Sequence, residues 1–341
     1  MKKIIQARSW YAGKIIPLLL GVLLGIGGYA FLLSLQKPSV LSSSNNNEFR
    51  EIVHNYQYVD PLLACDTGSN IMTRHLEFEN QLRSFINDEI SKGHAKNISI
   101  YFRQLDTGQW VGIDENDKYD PASLLKIVLM ITYFKEINTQ PDILDQHYTY
   151  TEALERVSKS ISYTATTSLE VGRSYTANKL IHAMIVDSDN GATYTLLDHV
   201  DQQQLALVYK ELGIPDPNAV SGNYKITARQ YSLFFRILYN ATYLDEGVSE
   251  KAMELLAQTS YRDGLVSGVP DGISVAHKYG EHVNGAPDGS VSSIELHDCG
   301  IVYKLNSPYF LCVMTSGKSI DDLTNVIQQI SKMTYATGSF K

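Results

Sequence analysis

Three short polar segments of the chain carry residue types that suit an activated serine nucleophile. Ser123 and Lys126 stand three positions apart at the start of an apolar stretch, so on a helix the hydroxyl and the amine share a face. A serine hydroxyl becomes nucleophilic when a neighbouring base takes its proton. A lysine can be that base when burial or a second cation lowers its pKa. The pair therefore predicts covalent catalysis through Ser123.

The S-x-x-K spacing is a weak signal by itself. Average residue usage gives about one such match by chance in a chain of this length, and Ser34 and Lys37 form a second match. The Ser188–Asn190 segment, SDN, is more specific, since it is expected roughly 0.06 times by chance. The Lys278–Gly280 segment, KYG, follows late in the chain, where a lysine beside a glycine can direct a cation and open backbone at a ligand.

The elements that must position these segments are strands at both ends of the sequence with helices between them. Alternating apolar residues predict strands at 98–102, 109–113, 274–280, 293–304 and 309–315. Helical spacing predicts helices at 77–91, 123–138, 177–187, 190–199, 202–212, 228–240, 249–258 and 320–335. This order predicts an α/β (α+β) fold, with one antiparallel sheet flanked by the terminal helices and an all-helical lobe. A site is expected in the cleft between the two parts.

The N-terminal region has the composition of a membrane anchor. Residues 1–14 form a basic tail without an acid, and residues 15–35 carry no charge, which is long enough to cross about 30 Å of hydrocarbon. The tail predicts a cytoplasmic N-terminus, a single-pass anchor in the cell membrane and an extracytoplasmic body. Residues 36–75 are expected to be a linker with a partly ordered lead-in, and 76–341 the catalytic domain. Cleaved secretion is the alternative.

Composition excludes several other functions. The formal net charge of −8 argues against a nucleic-acid partner, because phosphate contacts need a basic surface. The nine histidines show no recognisable ligand spacing, so neither a metal nor another cofactor is expected. Cys299 and Cys312 fall on facing strands of the last predicted hairpin. Two buried thiols are the default expectation there, and a disulfide is the alternative.

In chain order, SLLK, SDN and KYG resemble the S-x-x-K, S-D-N and K-T-G motifs of class A β-lactamases and penicillin-binding proteins. The resemblance extends from about residue 77 to residue 338. It implies a β-lactamase-like fold with the SLLK helix between the two parts. It also implies a serine hydrolase that forms an acyl-enzyme with peptidoglycan stem peptides ending in D-alanyl-D-alanine, or with β-lactams, without a cofactor.

The resemblance also implies a role for each motif residue. Ser123 is the implied nucleophile, Lys126 its proton acceptor, and Ser188 the relay that passes a proton to the departing amine. Asp189 is expected to hold the loop by local hydrogen bonds. The remaining implied site residues are the substrate contacts Asn190, Lys278 (to the substrate carboxylate), Tyr279 and Gly280, and an oxyanion hole from the backbone N–H groups of Ser123 and Glu281.

Two departures from the family pattern bear on the reaction. Tyr279 stands where the family has Thr or Ser, so a short hydroxyl near the substrate carboxylate is missing. Class A β-lactamases hydrolyse the acyl-enzyme with a glutamate in the loop that corresponds to residues 214–226. Here that loop reads IPDPNAVSGNYKI, and Asp216 is its only acid.

Loss of a positioned general base slows the step that it serves by about 10²- to 10⁴-fold. Acylation can therefore survive while turnover of a β-lactam is slow, which favours a D-alanyl-D-alanine peptidase-like enzyme. One alternative is a true β-lactamase that activates water in another way, for instance through Lys126. Another is a sensor or degenerate domain that binds penicillin or cell-wall peptide without turnover.

Overall fold

The computed structural model describes residues 56–61, 76–161, 168–220, 223–285 and 291–337. The predicted basic tail and anchor, residues 1–35, lie outside the described residues, as does most of the predicted linker. Within the described ranges, no helix has the length and apolar character needed to cross a membrane.

A five-stranded antiparallel sheet lies at the centre of the fold. The strands of the described residues are β1 (Asn97–Gln104), β2 (Trp110–Ile113), β3 (His147–Thr149), β4 (Ser174–Thr176), β5 (Val275–Gly285), β6 (Val291–Val302) and β7 (Tyr309–Gly317). The central sheet has the order β2-β1-β7-β6-β5, while β3 and β4 form a separate two-stranded sheet. The first hairpin and the last three strands thus join across most of the sequence, as the sequence predicts. Strand β5, which carries the KYG segment, is at one edge.

One face of the sheet is covered by the first and last helices. The α-helices within the described ranges are α1 (Leu76–Ser91), α2 (Lys126–Glu136), α3 (Glu152–Ile161), α4 (Ala177–Val186), α5 (Asn190–His199), α6 (Gln202–Glu211), α7 (Ala228–Tyr239), α8 (Glu246–Ala257) and α9 (Ile320–Thr337). In α9 the apolar residues at helical spacing, Leu323, Val326, Ile327 and Ile330, are fully buried with α1 against this face. The predicted flanking of the sheet by terminal helices is confirmed.

The other face of the sheet packs against the helical part, and α2 is its central helix. Of the 11 residues of α2, only Lys135 is not buried. A helix that is buried all round is fixed by packing on every side. Lys126, the first residue of α2, therefore projects from a rigid element.

Short or polar elements are the ones that sequence periodicity missed. Helix α3 is made mostly of polar residues, and strands β3 and β4 have three residues each, too few for alternation to be recognised. The predicted helix 123–138 also differs at its start. Residues Ala122–Leu125 form a 3₁₀ turn, and the α-helix begins at Lys126.

Cys299 and Cys312 lie directly opposite each other on β6 and β7 and form a disulfide. The default expectation of two free buried thiols was therefore wrong. The reason is register, because periodicity identifies the two strands but does not fix which residues face each other.

A short segment before the first helix lies against the body. The carboxylate of Glu250 accepts hydrogen bonds from the backbone N–H groups of Gln57–Val59, at 2.7 to 3.2 Å. The Tyr303 hydroxyl donates to the Tyr58 carbonyl at 2.8 Å, and the side chain of Val59 is buried. This part of the predicted lead-in is thus held by the side chains of the body.

Candidate active site

Ser123 lies in the 3₁₀ turn that leads directly into α2. In a 3₁₀ turn, residues i and i+3 eclipse each other, so Ser123 is aligned with Lys126, whose backbone N–H donates to the Ser123 carbonyl. Ala122 adopts a left-handed conformation with φ +46°, and its N–H donates to Asp120 Oδ1 at 2.9 Å. The strained residue thus lies immediately before the predicted nucleophile, whose side chain is partly exposed.

The amine of Lys126 is buried and bound to the SDN segment. Its side chain is 6% exposed, and Nζ donates to the Ser188 carbonyl (2.5 Å), to Ser188 Oγ (3.1 Å) and to Asn190 Oδ1 (2.7 Å). Burial lowers the pKa of Lys126 from 10.5 to about 7, against an opposing effect of the Asp189 carboxylate. The three donated hydrogen bonds use all three N–H groups of the ammonium form. The lowered pKa lets this ammonium lose a proton near neutral pH, which frees the lone pair that a base for Ser123 requires.

The SDN segment is held at the junction of α4 and α5. Asp189 is fully buried, and its carboxylate accepts from Ala192 N and Ser168 N, each at 2.9 Å, so it caps α5 and holds the loop as expected. Ser188 has φ +55°, a left-handed conformation at the point where the chain turns toward α2. Both oxygens of Asp189 are thus engaged in holding this turn.

Lys278 reaches the same serine hydroxyl from the edge strand. Its side chain is 0% exposed, and Nζ donates to Ser188 Oγ at 3.0 Å and to the Tyr279 carbonyl at 3.1 Å. Burial and the neighbouring Lys126 amine lower the pKa of Lys278 well below its usual value, while Asp298 opposes this. The three motifs therefore meet at a single atom, Ser188 Oγ.

Gly280 brings strand β5 against the 3₁₀ turn. A Cβ at this position would lie 2.8 Å from the Pro121 carbonyl oxygen and 3.1 Å from Leu124 Cγ, so only glycine permits this approach. Ser123 lies between these two turn residues, and Glu281 follows Gly280 directly. The contact thus places the two predicted oxyanion donors on adjoining segments, and their role remains a prediction.

Two features behind KYG were missed by sequence reasoning. On β5 and β6, His277 Nδ1 donates to Asp298 Oδ1 at 2.7 Å, and both side chains are fully buried. The ring of Tyr261 stacks on Tyr279, with the centroids 4.2 Å apart and an interplanar angle of 24°. His277 and Asp298 lie 21 positions apart in a pattern that reads only as strand, so no local signal pairs them.

In the loop at 214–226, which lacks a glutamate, the single acid Asp216 contacts its own turn. Asp216 accepts a hydrogen bond from Asn218 N at 2.9 Å and caps the 3₁₀ turn Pro217–Ala219. Asp216 is therefore engaged in holding its own turn.

The histidines of the last strands are dispersed among different partners. His297 Nε2 donates to the Asp120 carbonyl at 2.9 Å, and His282 Nε2 lies 3.1 Å from Asn284 Oδ1. Among the residues that the structure describes, no group of three His, Cys, Asp or Glu side chains is placed to hold a metal ion.

A comparison with protein families gives a match over most of the chain. A family model described as the β-lactamase enzyme family matches residues 80–337. Among curated proteins, none matches this chain.

Solved structures share the fold at low sequence identity. A mutant of PBP-A in an acyl-enzyme complex with penicillin G is 20% identical, with 78% of this chain and 97% of that chain covered and a TM-score of 0.64. The class A β-lactamase from Mycobacterium abscessus is 20% identical over 77% of this chain and 100% of that chain, with a TM-score of 0.63. A β-lactamase from Xanthomonas campestris is 17% identical over 75% and 97%, also with a TM-score of 0.63. Since the family match spans most of the sequence, the chain belongs to the β-lactamase enzyme family.

Proposed function

We propose that the protein is a membrane-anchored, extracytoplasmic serine enzyme that forms an acyl-enzyme on Ser123 with D-alanyl-D-alanine-type peptides or β-lactams. One observation carries the proposal. The amine of Lys126, with a pKa of about 7, lies one turn from the partly exposed Ser123. It donates a hydrogen bond to the Ser188 hydroxyl, which also accepts one from the buried Lys278. Membership of the β-lactamase enzyme family supports serine hydrolase chemistry at this site.

The proposed acylation step moves one proton in a closed route. Neutral Lys126 takes the proton of the Ser123 hydroxyl while Oγ forms a bond to the acyl carbonyl carbon. The C–N bond of the amide or lactam then breaks, and the Lys126 ammonium returns the proton through Ser188 to the departing nitrogen. The hydrogen bond from Lys126 Nζ to Ser188 Oγ, at 3.1 Å, is the one this relay requires. The negative charge that develops on the carbonyl oxygen needs N–H donors, and removal of one such donor typically lowers transition-state stabilisation by about 2.7 to 4 kcal/mol.

The fate of the acyl-enzyme favours a peptidase-like reaction. The loop at 214–226 contains no glutamate, and its single acid caps a turn. Loss of a general base slows hydrolysis by about 10²- to 10⁴-fold, so we expect a penicillin adduct to persist. The PBP-A mutant that shares this fold carries penicillin G as an acyl-enzyme, which makes penicillin G a suitable probe.

A β-lactamase is the second candidate, and the Lys126 amine favours it. With a pKa of about 7, this amine is again a base once it has passed on its proton, and it could then activate water for hydrolysis. With penicillin G as the probe, the two candidates differ in how long the adduct lasts.

The location outside the membrane is part of the proposal. It rests on the basic residues 1–14 and the uncharged residues 15–35. The Cys299–Cys312 disulfide supports it, because disulfides persist mainly in oxidising compartments. Protease treatment of spheroplasts, whose cytoplasmic membrane is intact, should remove the catalytic domain, whereas a domain protected there would contradict this location.

The acylation proposal is tested by intact mass spectrometry of the full-length chain in mild detergent. After incubation with penicillin G, we expect a mass increase of one whole penicillin that lasts for hours, because ring opening releases no fragment. Ser123→Ala should show no increase. Ser34→Ala, in the second S-x-x-K match, should behave like the parent.

The other outcomes separate the candidates. A transient adduct with steady consumption of penicillin identifies a β-lactamase. A lasting adduct without release of D-alanine from a D-alanyl-D-alanine peptide identifies a sensor. Absence of any adduct, with penicillin G and with its neutral esters alike, would refute acylation at Ser123.

A further inference from the structure

The ammonium of Lys278 is closed off from the substrate side of the site. Two of its N–H groups donate to Ser188 Oγ and to the Tyr279 carbonyl, and the ring of Tyr279 covers it with its centroid 4.3 Å from Nζ. The side chain has no exposed surface. A substrate carboxylate can therefore reach this ammonium only if the Tyr279 ring is displaced.

The covering ring is itself held in place. Tyr261 stacks on Tyr279 at 4.2 Å, and the segment that carries Tyr261 is tied on both sides. Ser260 N donates to the Val186 carbonyl at 2.9 Å, and Leu265 N donates to Asp298 Oδ2 at 2.8 Å. Displacement of Tyr279 would therefore disrupt a packed pair of rings on a fixed segment.

The surface beside the two rings also disfavours an anion. A cleft of about 480 Å³ opens there, and the acids Asp263, Glu281 and Asp321 line it. The described residues around this cleft include no lysine or arginine. Burial raises the pKa of Glu281, which shows that this surface already disfavours negative charge.

In the proposed mechanism, groups attached to the leaving nitrogen approach this closed surface. Ser188, the proposed relay to that nitrogen, is hydrogen-bonded to Lys278, whose ammonium the Tyr279 ring covers. We propose that Tyr279 determines specificity, so that the enzyme prefers acyl donors whose leaving group has an amidated, esterified or otherwise neutral carboxyl over donors with a free carboxylate there. This inference rests on the proposed acylation of Ser123. It narrows the proposed natural substrates to D-alanyl amides in which the carboxyl of the leaving group is neutral.

Matched probes that differ only at the carboxyl test the inference. The full-length chain is acylated with penicillin G and, separately, with penicillin G methyl ester, and the two second-order rate constants are measured by intact mass. The peptide diacetyl-L-lysyl-D-alanyl-D-alanine and its C-terminal amide form a second pair, with cleavage of the terminal D-alanyl bond as the readout. The measured quantity is the carboxylate-to-neutral rate ratio.

The variants distinguish the ring from the hydroxyl. The parent should show a ratio below 1, and Tyr279→Phe, which keeps the ring over Lys278, should retain that ratio. Tyr279→Thr uncovers the ammonium and should raise the ratio about 10- to 100-fold, the range of one charge-assisted hydrogen bond. Tyr261→Ala removes the stacking partner and should shift the ratio in the same direction. It decides the question if Tyr279→Thr does not fold.

Two results would overturn the inference, and they are distinguishable. In the first, both probes acylate Ser123, but the parent prefers the free carboxylate or the rate ratio stays unchanged when the ring is removed or unstacked. Tyr279 then does not set specificity, and the proposed function stands. If no variant is acylated by either probe, the proposed function fails and this inference fails with it.

Discussion

The pKa of Lys126 makes the pH dependence of acylation a direct test of its role. With a pKa of about 7, the neutral fraction of this amine rises from about 9% at pH 6 to about 91% at pH 8. If the neutral amine accepts the Ser123 proton, acylation should be about 10-fold faster at pH 8 than at pH 6 and level above pH 8. An amine with the ordinary pKa of 10.5 would instead give a rise of about 100-fold over the same interval, with no plateau.

The assay should use a probe that does not titrate. The methyl ester of penicillin G has no ionisable carboxyl, so the profile of its acylation rate between pH 5.5 and 9.5 reports the enzyme alone. Stopped samples analysed by intact mass give the rate at each pH, and a fluorescence melt at each pH checks that the fold is retained. Lys126 and Lys278 both donate a hydrogen bond to Ser188 Oγ, so the profile belongs to the pair of amines together.

A charge variant supplies the matched control. Asp189 is the group that raises the Lys126 pKa, and Asp189→Asn removes this charge together with one of the two oxygens that hold the turn. For protein that the melt shows to be folded, the midpoint of the profile should therefore move below that of the parent. A profile that still rises steeply at pH 9.5, or a midpoint that does not respond to this substitution, would show that Lys126 is not the base.

Three further predictions follow from packing. Gly280→Ala places a methyl group 2.8 Å from the Pro121 carbonyl oxygen, a backbone atom, so acylation should fall about 10-fold or more while circular dichroism shows a retained fold; an unchanged rate would contradict the required approach. Asp298→Ala leaves His277 buried without its partner, so the free energy of unfolding in urea should fall by about 3 kcal/mol. A decrease under about 1 kcal/mol would contradict a structural role for the His277–Asp298 pair. Glu250→Ala removes the acceptor for three backbone N–H groups, so limited proteolysis near residues 57–59 should become faster with acylation unchanged; equal cleavage rates would contradict this contact.

Elements with long periodic patterns were predictable from the sequence. Helix α9 shows apolar residues at positions 323, 326, 327 and 330, and the same residues are buried in the structure. Helix α2 was identified because its residues are nearly all apolar, although its first turn is 3₁₀. In both cases a local pattern carries the information, because burial of one face or of all faces leaves a mark on consecutive residues.

Features that depend on contacts between distant segments were not predictable. The Cys299–Cys312 bond depends on the register of β6 and β7, and the stack of Tyr261 on Tyr279 depends on a loop packing beside the edge strand. The motifs named Lys278 as a residue of the site, but its burial beneath the neighbouring ring required side-chain positions. A motif specifies which residue types are present, while access to them is set by residues elsewhere in the chain.

The position of Ser188 between two amines has a consequence for the direction of its own hydrogen. A hydroxyl oxygen has two lone pairs and one hydrogen, and here Lys126 and Lys278 each donate to that oxygen. With both lone pairs occupied, the hydrogen must point away from both nitrogens. Before any substrate is present, rotation about the Cβ–Oγ bond is already restricted to one donor direction. The Ser188 hydroxyl therefore loses its rotational entropy when the protein folds and not when the substrate binds.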